Sequence, residues 1–450
     1  MAEFRSNNVE EYFMGKTILV TGVTGFLAKI FVEKILRVQP NIKRLYLLVR
    51  ASNPHVAIQR LHNEVFGKEL FKIQRDKWGE NFSSFLSEKV VAVAGDVSLH
   101  NFGIKDQILI ENMLQDIEII VHSAATTRFD ERANLYGWQD TYALTKAMGE
   151  MIVTNMKGNI PLIITRPPTI LGTHSDPFPG WIEGVRTIDF VFVEYFKGAI
   201  TSFVGDPNIT VDGIPADMVT NSTIIALVVH SKNHTSNNLL IYHIGTSLRN
   251  PIKMSDVQDI MHLYVTKNPW LKNYGKSGAS IKKFTFNPNY TEDHEFPQHK
   301  RSRLKRIIEI YRPYYTEPES IFDDKNAEKL RMAIKGVDDV NREFNFDPKR
   351  FDWKDYLMNG NKNVFGLKNS GQWALKRSLF STKRRLLHCR LYQRGAFTFG
   401  VLVPPWHIGG KNAAQEKLGA NWEGPYQVIE VLGKGAYKLR MVEGAQVPKT

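Results

Sequence analysis

Apolar residues follow two rhythms along the first half of the chain. Thr17–Val20 (TILV), Leu45–Val49 (LYLLV), Val90–Ala94 (VVAVA) and Ile117–Val121 (IEIIV) have the length and β-branching of buried strands. Between the first two, Phe26, Leu27, Ile30, Phe31, Ile35 and Leu36 recur at helical spacing and stop before Pro40. Segments 56–74 and 105–114 carry the same helical pattern. Alternating helices and near-continuous apolar strands predict an α/β fold, a doubly wound parallel sheet covered on both faces.

Charge divides the chain into unlike parts. Residues 361–450 hold 15 Lys+Arg against 4 Asp+Glu, or +11 of the total +13. The preceding 360 residues are therefore almost neutral, and the tail reads as a separate object. The single cysteine, Cys389, excludes an intramolecular disulfide framework and a cysteine-based zinc cluster. No metal site is expected. The first fifteen residues carry Glu3, Glu10 and Glu11 and no apolar run, and no stretch approaches a membrane span. These features predict an intracellular protein without signal peptide, transit peptide or transmembrane segment.

The first strand runs into Thr21-Gly22-Val23-Thr24-Gly25-Phe26-Leu27-Ala28, where a helix begins. A strand–glycine turn–helix of this kind lets the backbone approach a pyrophosphate at the helix N-terminus. Thr21, Gly22, Thr24, Gly25, Phe26 and Leu27 are thus the expected cofactor-binding segment of a Rossmann-like domain. Arg50 ends the second strand where an NAD site usually places Asp or Glu, and Lys43 and Arg44 lie just upstream. A cation there favours the 2′-phosphate of NADPH. Asp96, after the third strand, could accept a bond from adenine or cap the next helix.

Tyr142 and Lys146 stand four apart in a segment rich in helix formers (TYALTKAMGE), which puts both on one helical face. An ammonium one turn away lowers a phenol's pKa and suits it to proton delivery. Such a pair fits the reduction of a carbonyl, where hydride arrival creates an oxyanion.

Thr21–Lys29 (TGVTGFLAK), Leu45–Ala51 (LYLLVRA), His122–Arg132 (HSAATTRFDER), Leu135–Glu150, Pro177–Gly184 (PFPGWIEG), Ile214–Val219 (IPADMV) and Ile321–Met332 together resemble the plant-type alcohol-forming fatty acyl-CoA reductases. These belong to the extended short-chain dehydrogenase superfamily, and the similarity spans about residues 8–358. The resemblance implies NADPH-dependent reduction of a long-chain acyl-CoA, through a bound aldehyde, to a primary alcohol for waxes, suberin or pollen walls. It assigns Tyr142 as proton donor, Lys146 to the nicotinamide ribose, and Gly22, Gly25 and Arg50 to the cofactor. It also implies a division into an NADP-binding domain (1–200), a smaller mixed substrate region (201–300) and a helical domain (301–360), while the charge partition and the tail's own pattern set off a basic linker (361–410) and a partial β module (411–450). An acyl-CoA substrate makes peripheral contact with the cytosolic face of the endoplasmic reticulum plausible.

The chain departs from that pattern. Tyr142 stands 20 residues after His122, too few for a crossover and a further strand. The sheet is therefore expected to lack one strand, which in the family carries a carbonyl-polarising Ser or Thr. Leu162–Thr165 could then pair directly with the fourth strand and displace the Tyr142 helix by about 4.8 Å. Weak or absent turnover over an intact cofactor cradle is the expectation. A second contraction is read near 287–301. The tail segment 419–439, with β runs on either side of Gly433-Lys434-Gly435, resembles the SH3-like module that ends gypsy-type retrotransposon integrases. The basic tail is expected to be SH3-like or disordered, with any nucleic-acid contact confined to 361–450. The alternative to a working reductase is a catalytically dead nucleotide-binding remnant or a chimeric gene product.

Overall fold

A computed structural model describes residues 4–5, 7–124, 141–183, 191–192, 195–196, 200–231, 239–268, 283–288, 321–364, 399–402, 426–433 and 436–441. In chain order the strands are β1 Thr17–Thr21, β2 Arg44–Val49, β3 Val90–Ala94, β4 Ile119–His122, β5 Leu162–Arg166, β6 Thr169–Leu171, β7 Ser202–Val204, β8 Thr210–Val211, β9 Gly213–Pro215, β10 Leu239–His243, β11 Ile252–Lys253, β12 Thr285–Asn287, β13 Phe399–Leu402, β14 Tyr426–Gly433 and β15 Ala436–Met441. The α-helices are α1 Asn8–Phe13, α2 Phe26–Val38, α3 Pro54–Leu61, α4 Lys72–Trp78, α5 Phe82–Lys89, α6 Gln107–Asp116, α7 Thr141–Met156, α8 Ala216–Ser231, α9 Met254–Lys267, α10 Lys325–Ala333, α11 Asp338–Glu343 and α12 Trp353–Val364.

Seven strands form the main sheet in the order β10-β5-β13-β4-β1-β2-β3. Every residue of β1 is buried, as expected of a strand covered on both faces. Pairing is parallel from β4 through β1 and β2 to β3, and between β5 and β10. The chain runs from β1 outward to β2 and β3, then crosses back to β4. The switch point therefore lies between β1 and β4, and its carboxyl-end side is where open α/β sheets bind their ligands.

Two sequence expectations change here. β5 does not pair with β4. β13, from the basic tail, lies between them and runs antiparallel to both. The pairing of β5 with β4 on which the inward shift of the Tyr142 helix was conditional is therefore absent. The edge strand β10 comes from residues assigned to the substrate region, so the main sheet is not confined to 1–200. The short run between β4 and α7 (125–140), residues 289–301 of the contraction read near 287–301, and most of the tail lie outside the described residues. Within the tail, the expected hairpin is present, with β14 antiparallel to β15.

Residues 321–364 pack onto the body through directed contacts. Lys34 Nζ donates to the Glu343 carbonyl at 2.5 Å, Trp353 Nε1 to the Asn250 carbonyl at 2.8 Å and Tyr356 OH to the Gly172 carbonyl at 2.6 Å. Among the described residues, no helix is long and apolar enough to cross a membrane.

Candidate active site

The site begins with the bend after β1. Gly22 has φ +72°, a region costly for any residue with a Cβ. A Cβ there would lie 2.7 Å from Ser123 C, Ser123 O and Ala124 N. The glycine turn and the end of β4 are therefore in backbone contact. The Gly25 amide donates to the Gly22 carbonyl at 2.8 Å, closing the turn. Gly25 then stands at the N-cap of α2, without a side-chain cap and with no acidic residue in the first turn. Backbone amides and helix dipole at such an end favour a phosphate.

The other predicted residues of this segment divide by role. The Thr21 hydroxyl is buried and lies 2.9 Å from His122 Nδ1. Leu27 has its side chain in the core, so its backbone alone could meet a dinucleotide. Phe26 stacks on Trp181 at 5.1 Å between centroids, and Lys29 Nζ pairs with Glu183 at 2.6 Å. The PFPGWIEG segment thus folds onto the first turns of α2, which explains why these distant motifs occur together.

Lys146 lies on α7 with its ammonium inside the protein. It is 9% exposed, and Nζ donates to the Ala124 carbonyl at 3.4 Å. Ala124 is also the residue backed against Gly22, so one loop joins the glycine turn to the lysine. Burial brings the Lys146 pKa down to about 8. Burial, and then the Lys146 charge, bring His122 down to about 4, so its imidazole is neutral at physiological pH. Tyr142 is on α7, one turn before Lys146, and its side chain lies outside the described residues.

Arg50 and Asp96, proposed separately from sequence, form an ion pair: Arg50 Nε to Asp96 Oδ2 is 2.8 Å. Asp96 also accepts from the Ser98 amide at 2.9 Å and the Ser98 hydroxyl at 2.8 Å. Its partial burial raises the carboxyl's pKa, but the Ser98 bonds and Arg50 outweigh that and hold it below the ordinary range. The helix that follows is capped by Asp106 instead, which accepts from the Leu109 amide. Lys43 does not join this group. It sits at the amino end of β2 and pairs with Asp116 at 2.9 Å, seven residues and about 20 Å of extended strand from Arg50.

Sequence reasoning missed three supporting residues. His122 was visible as the polar residue ending an apolar strand. Glu150, four residues after Lys146, forms a two-toothed ion pair with Arg166 at the end of β5, with Arg166 Nε to Glu150 Oε2 at 3.1 Å. This pair ties α7 to the sheet. Glu150→Gln is expected to cost about 1 kcal/mol, because both groups are partly exposed, and to lower the melting temperature by a few degrees. A thermal melt unchanged from the parent would contradict that role. Asp217 in the IPADMV segment accepts from the amides of His174, Ser175 and Asp176 at 2.8, 2.8 and 3.0 Å, fixing the loop that leads into Pro177.

A Cβ-free cradle, an uncapped helix start and a buried lysine make a site suited to a nicotinamide dinucleotide. Comparison with known proteins agrees. Residues 20–135 and 130–223 match the family described as male sterility protein, an NAD-binding domain. Residues 406–450 match a domain of unknown function. Among solved structures, the reductase domain of a nonribosomal peptide synthetase from Mycobacterium tuberculosis aligns over 80% of this chain and 96% of its own, with a TM-score of 0.54 and 17% identity, a likeness of fold. The probable fatty acyl-CoA reductase 4 of Arabidopsis thaliana is 34% identical over 78% of this chain and 97% of its own. The alcohol-forming fatty acyl-CoA reductase of Simmondsia chinensis is 34% identical over 78% and 96%. On this similarity, the chain belongs to the fatty acyl-CoA reductase family.

Proposed function

We propose that this chain reduces a long-chain fatty acyl-CoA to the primary alcohol, using two equivalents of NADPH and passing through a bound aldehyde. The observation that carries the reading is the shared loop. Ala124 packs against Gly22 on one side and accepts from buried Lys146 on the other. The glycine turn and the lysine of the expected catalytic pair therefore share one loop, which supports this reading.

Bound reduced nicotinamide would supply one hydride to the thioester carbonyl, and a second NADPH, after exchange for the oxidised form, would supply one to the aldehyde. Gly22 and Gly25 admit its pyrophosphate to the backbone, and the start of α2 faces the charge. Lys146 carries a positive charge below about pH 8, holds the ribose hydroxyls and lowers the Tyr142 phenol's pKa. Tyr142 donates the proton that quenches the oxyanion of the aldehyde step. Thiolate departure in the first step needs one further proton from solvent. A long acyl chain would be drawn from a membrane surface by peripheral contact.

Arg50 is assigned to the 2′-phosphate. It is largely exposed, and its partner Asp96 would yield to a phosphate as a stronger, doubly charged acceptor. Arg50→Glu is expected to weaken NADPH binding at least tenfold and leave NADH binding within about twofold. Equal losses for both cofactors would remove Arg50 from that role.

A second reading keeps the cofactor without turnover, because the short connection from His122 to Tyr142 leaves no room for the family's strand with its polarising hydroxyl. One experiment separates the two: NADPH titration by fluorescence, with palmitoyl-CoA consumption and hexadecanol formation measured on the same protein. Binding with alcohol production establishes the reductase. Binding without product establishes the nucleotide-binding remnant, and no binding removes both.

A further inference from the structure

β4 and β5 are central, apolar strands, with Ile119, Val121, Leu162, Ile163 and Ile164 all buried. They are not neighbours. Phe399–Leu402 lies between them, with Gly400, Val401 and Leu402 opposite His122, Val121 and Ile120. On its other side Phe399, Gly400, Val401 and Leu402 stand opposite Thr165, Ile164, Ile163 and Leu162. Both ladders are antiparallel, in a sheet otherwise parallel throughout. A strand supplied by the ordinary strand–helix–strand crossover would be parallel. This one therefore arrived by a different route.

An empty gap there would leave the backbone donors and acceptors of two strands unpaired inside a core. The sheet has two remedies. It can close up, bringing β5 and α7 inward by about 4.8 Å, or it can take in another strand. Lys146 Nζ within reach of Ala124 fits the second.

The sequence of the tail supports the same choice. Within a region of net charge +11, residues 395–410 contain no Lys, Arg, Asp or Glu. This window is the one part of the tail of that length able to enter a sheet without burying a charge. Phe399, Val401 and Leu402 are strand-favouring residues, and Pro404 and Pro405 follow after Val403 in the sequence, where a central strand would have to end. Gly400 contributes no side chain to the face it shares with His122. The 34 residues separating Val364 from Phe399 could span more than 100 Å when extended, so the linkage imposes no strain.

We infer that β4 and β5 form a strand-acceptor slot, and that this chain fills it with its own segment Phe399–Leu402. The basic C-terminal region is then a component of the main sheet. It sets β5 two strand spacings from β4. The slot and its occupant stand independently of whether the chain turns over acyl-CoA.

The register gives a direct test, because Val121, Val401 and Ile163 lie in one row across the three strands. In the full-length chain with Cys389→Ser, three double variants are compared: Val121→Cys with Val401→Cys, Ile163→Cys with Val401→Cys, and Val121→Cys with Ile163→Cys. Directly opposed residues lie within disulfide reach, whereas residues two strands apart, at about 9–10 Å, do not. Oxidation should close the first two pairs within one chain and leave the third open. Closure of the third pair without the others would show a collapsed sheet and overturn the inference. A disulfide-linked dimer through Val401→Cys would also overturn it, by showing that the occupant comes from a second copy. Should the variants fail to fold, amide exchange on the unmodified chain decides. The amides of 399–402 should exchange at least a hundredfold more slowly than in a free peptide of the same sequence. Exchange at the free-peptide rate would refute the occupancy.

Discussion

Lys146→Met should cut turnover by orders of magnitude and at the same time raise stability at neutral pH. On the proposed mechanism, catalysis loses the ammonium that would tune Tyr142, and the expected fall in kcat is about 10²–10⁴-fold, comparable with that of Tyr142→Phe. Stability moves the other way because the folded protein pays for a buried charge. The Lys146 pKa falls from 10.5 in the unfolded chain to about 8 in the fold. Between those values the unfolded chain binds more protons, so this group makes stability rise with pH from 8 to 10.5 and leaves it lowest below 8. The shift corresponds to an upper limit of about 3 kcal/mol, from which loss of the Ala124 hydrogen bond subtracts. Guanidinium unfolding of parent and variant at pH 7, 8, 9 and 10 should therefore give curves that converge as pH rises. A gap that stays constant with pH would exclude Lys146 as the titrating group. In the parent enzyme, kcat should fall above about pH 8 as the ammonium loses its proton.

Gly22→Ala is the other large effect. The new methyl would sit 2.7 Å from backbone atoms of Ser123 and Ala124, which cannot swing aside as a side chain would, and φ +72° is strained for alanine. Stability should drop by about 1–3 kcal/mol. NADPH binding should weaken at least a hundredfold, because the displaced loop is the one that also meets Lys146. Gly25→Ala provides the contrast. Its Cβ would stand 3.0 Å from the Gly22 carbonyl without a positive φ, so a smaller loss is expected. Titration calorimetry on both variants measures the difference, and equal losses would mean that the turn tolerates movement.

What was legible in the sequence was local. β1, the glycine bend and α2 occupy one stretch of about twenty residues, and the spacing of Tyr142 and Lys146 needs nothing beyond a helix. Partners brought together by the fold were harder to read. Arg50 and Asp96 are each a plausible cofactor contact, and their mutual pairing depends on β2 and β3 being neighbours in register. Lys43 was placed with Arg50 because it is near in sequence, although a strand puts seven residues' distance between them. Glu150 and Arg166 carry no motif, and their meeting follows from how α7 lies over β5. The β13 segment was invisible for a stronger reason. Four residues with ordinary β propensity become a central strand here because two distant strands offer unpaired edges, and no periodicity announces an offer made elsewhere in the chain.

That placement has a consequence for biosynthesis. Gly400 pairs with His122 across 277 intervening positions, so a ribosome must translate as far as codon 402 before the middle of the sheet can be sealed. Until then the nascent protein presents two open apolar edges, the arrangement that invites mispairing between neighbouring chains. Production of this protein should therefore depend on chaperone supply to an unusual degree, and a premature stop anywhere upstream of codon 399 should yield aggregate in place of a shortened enzyme.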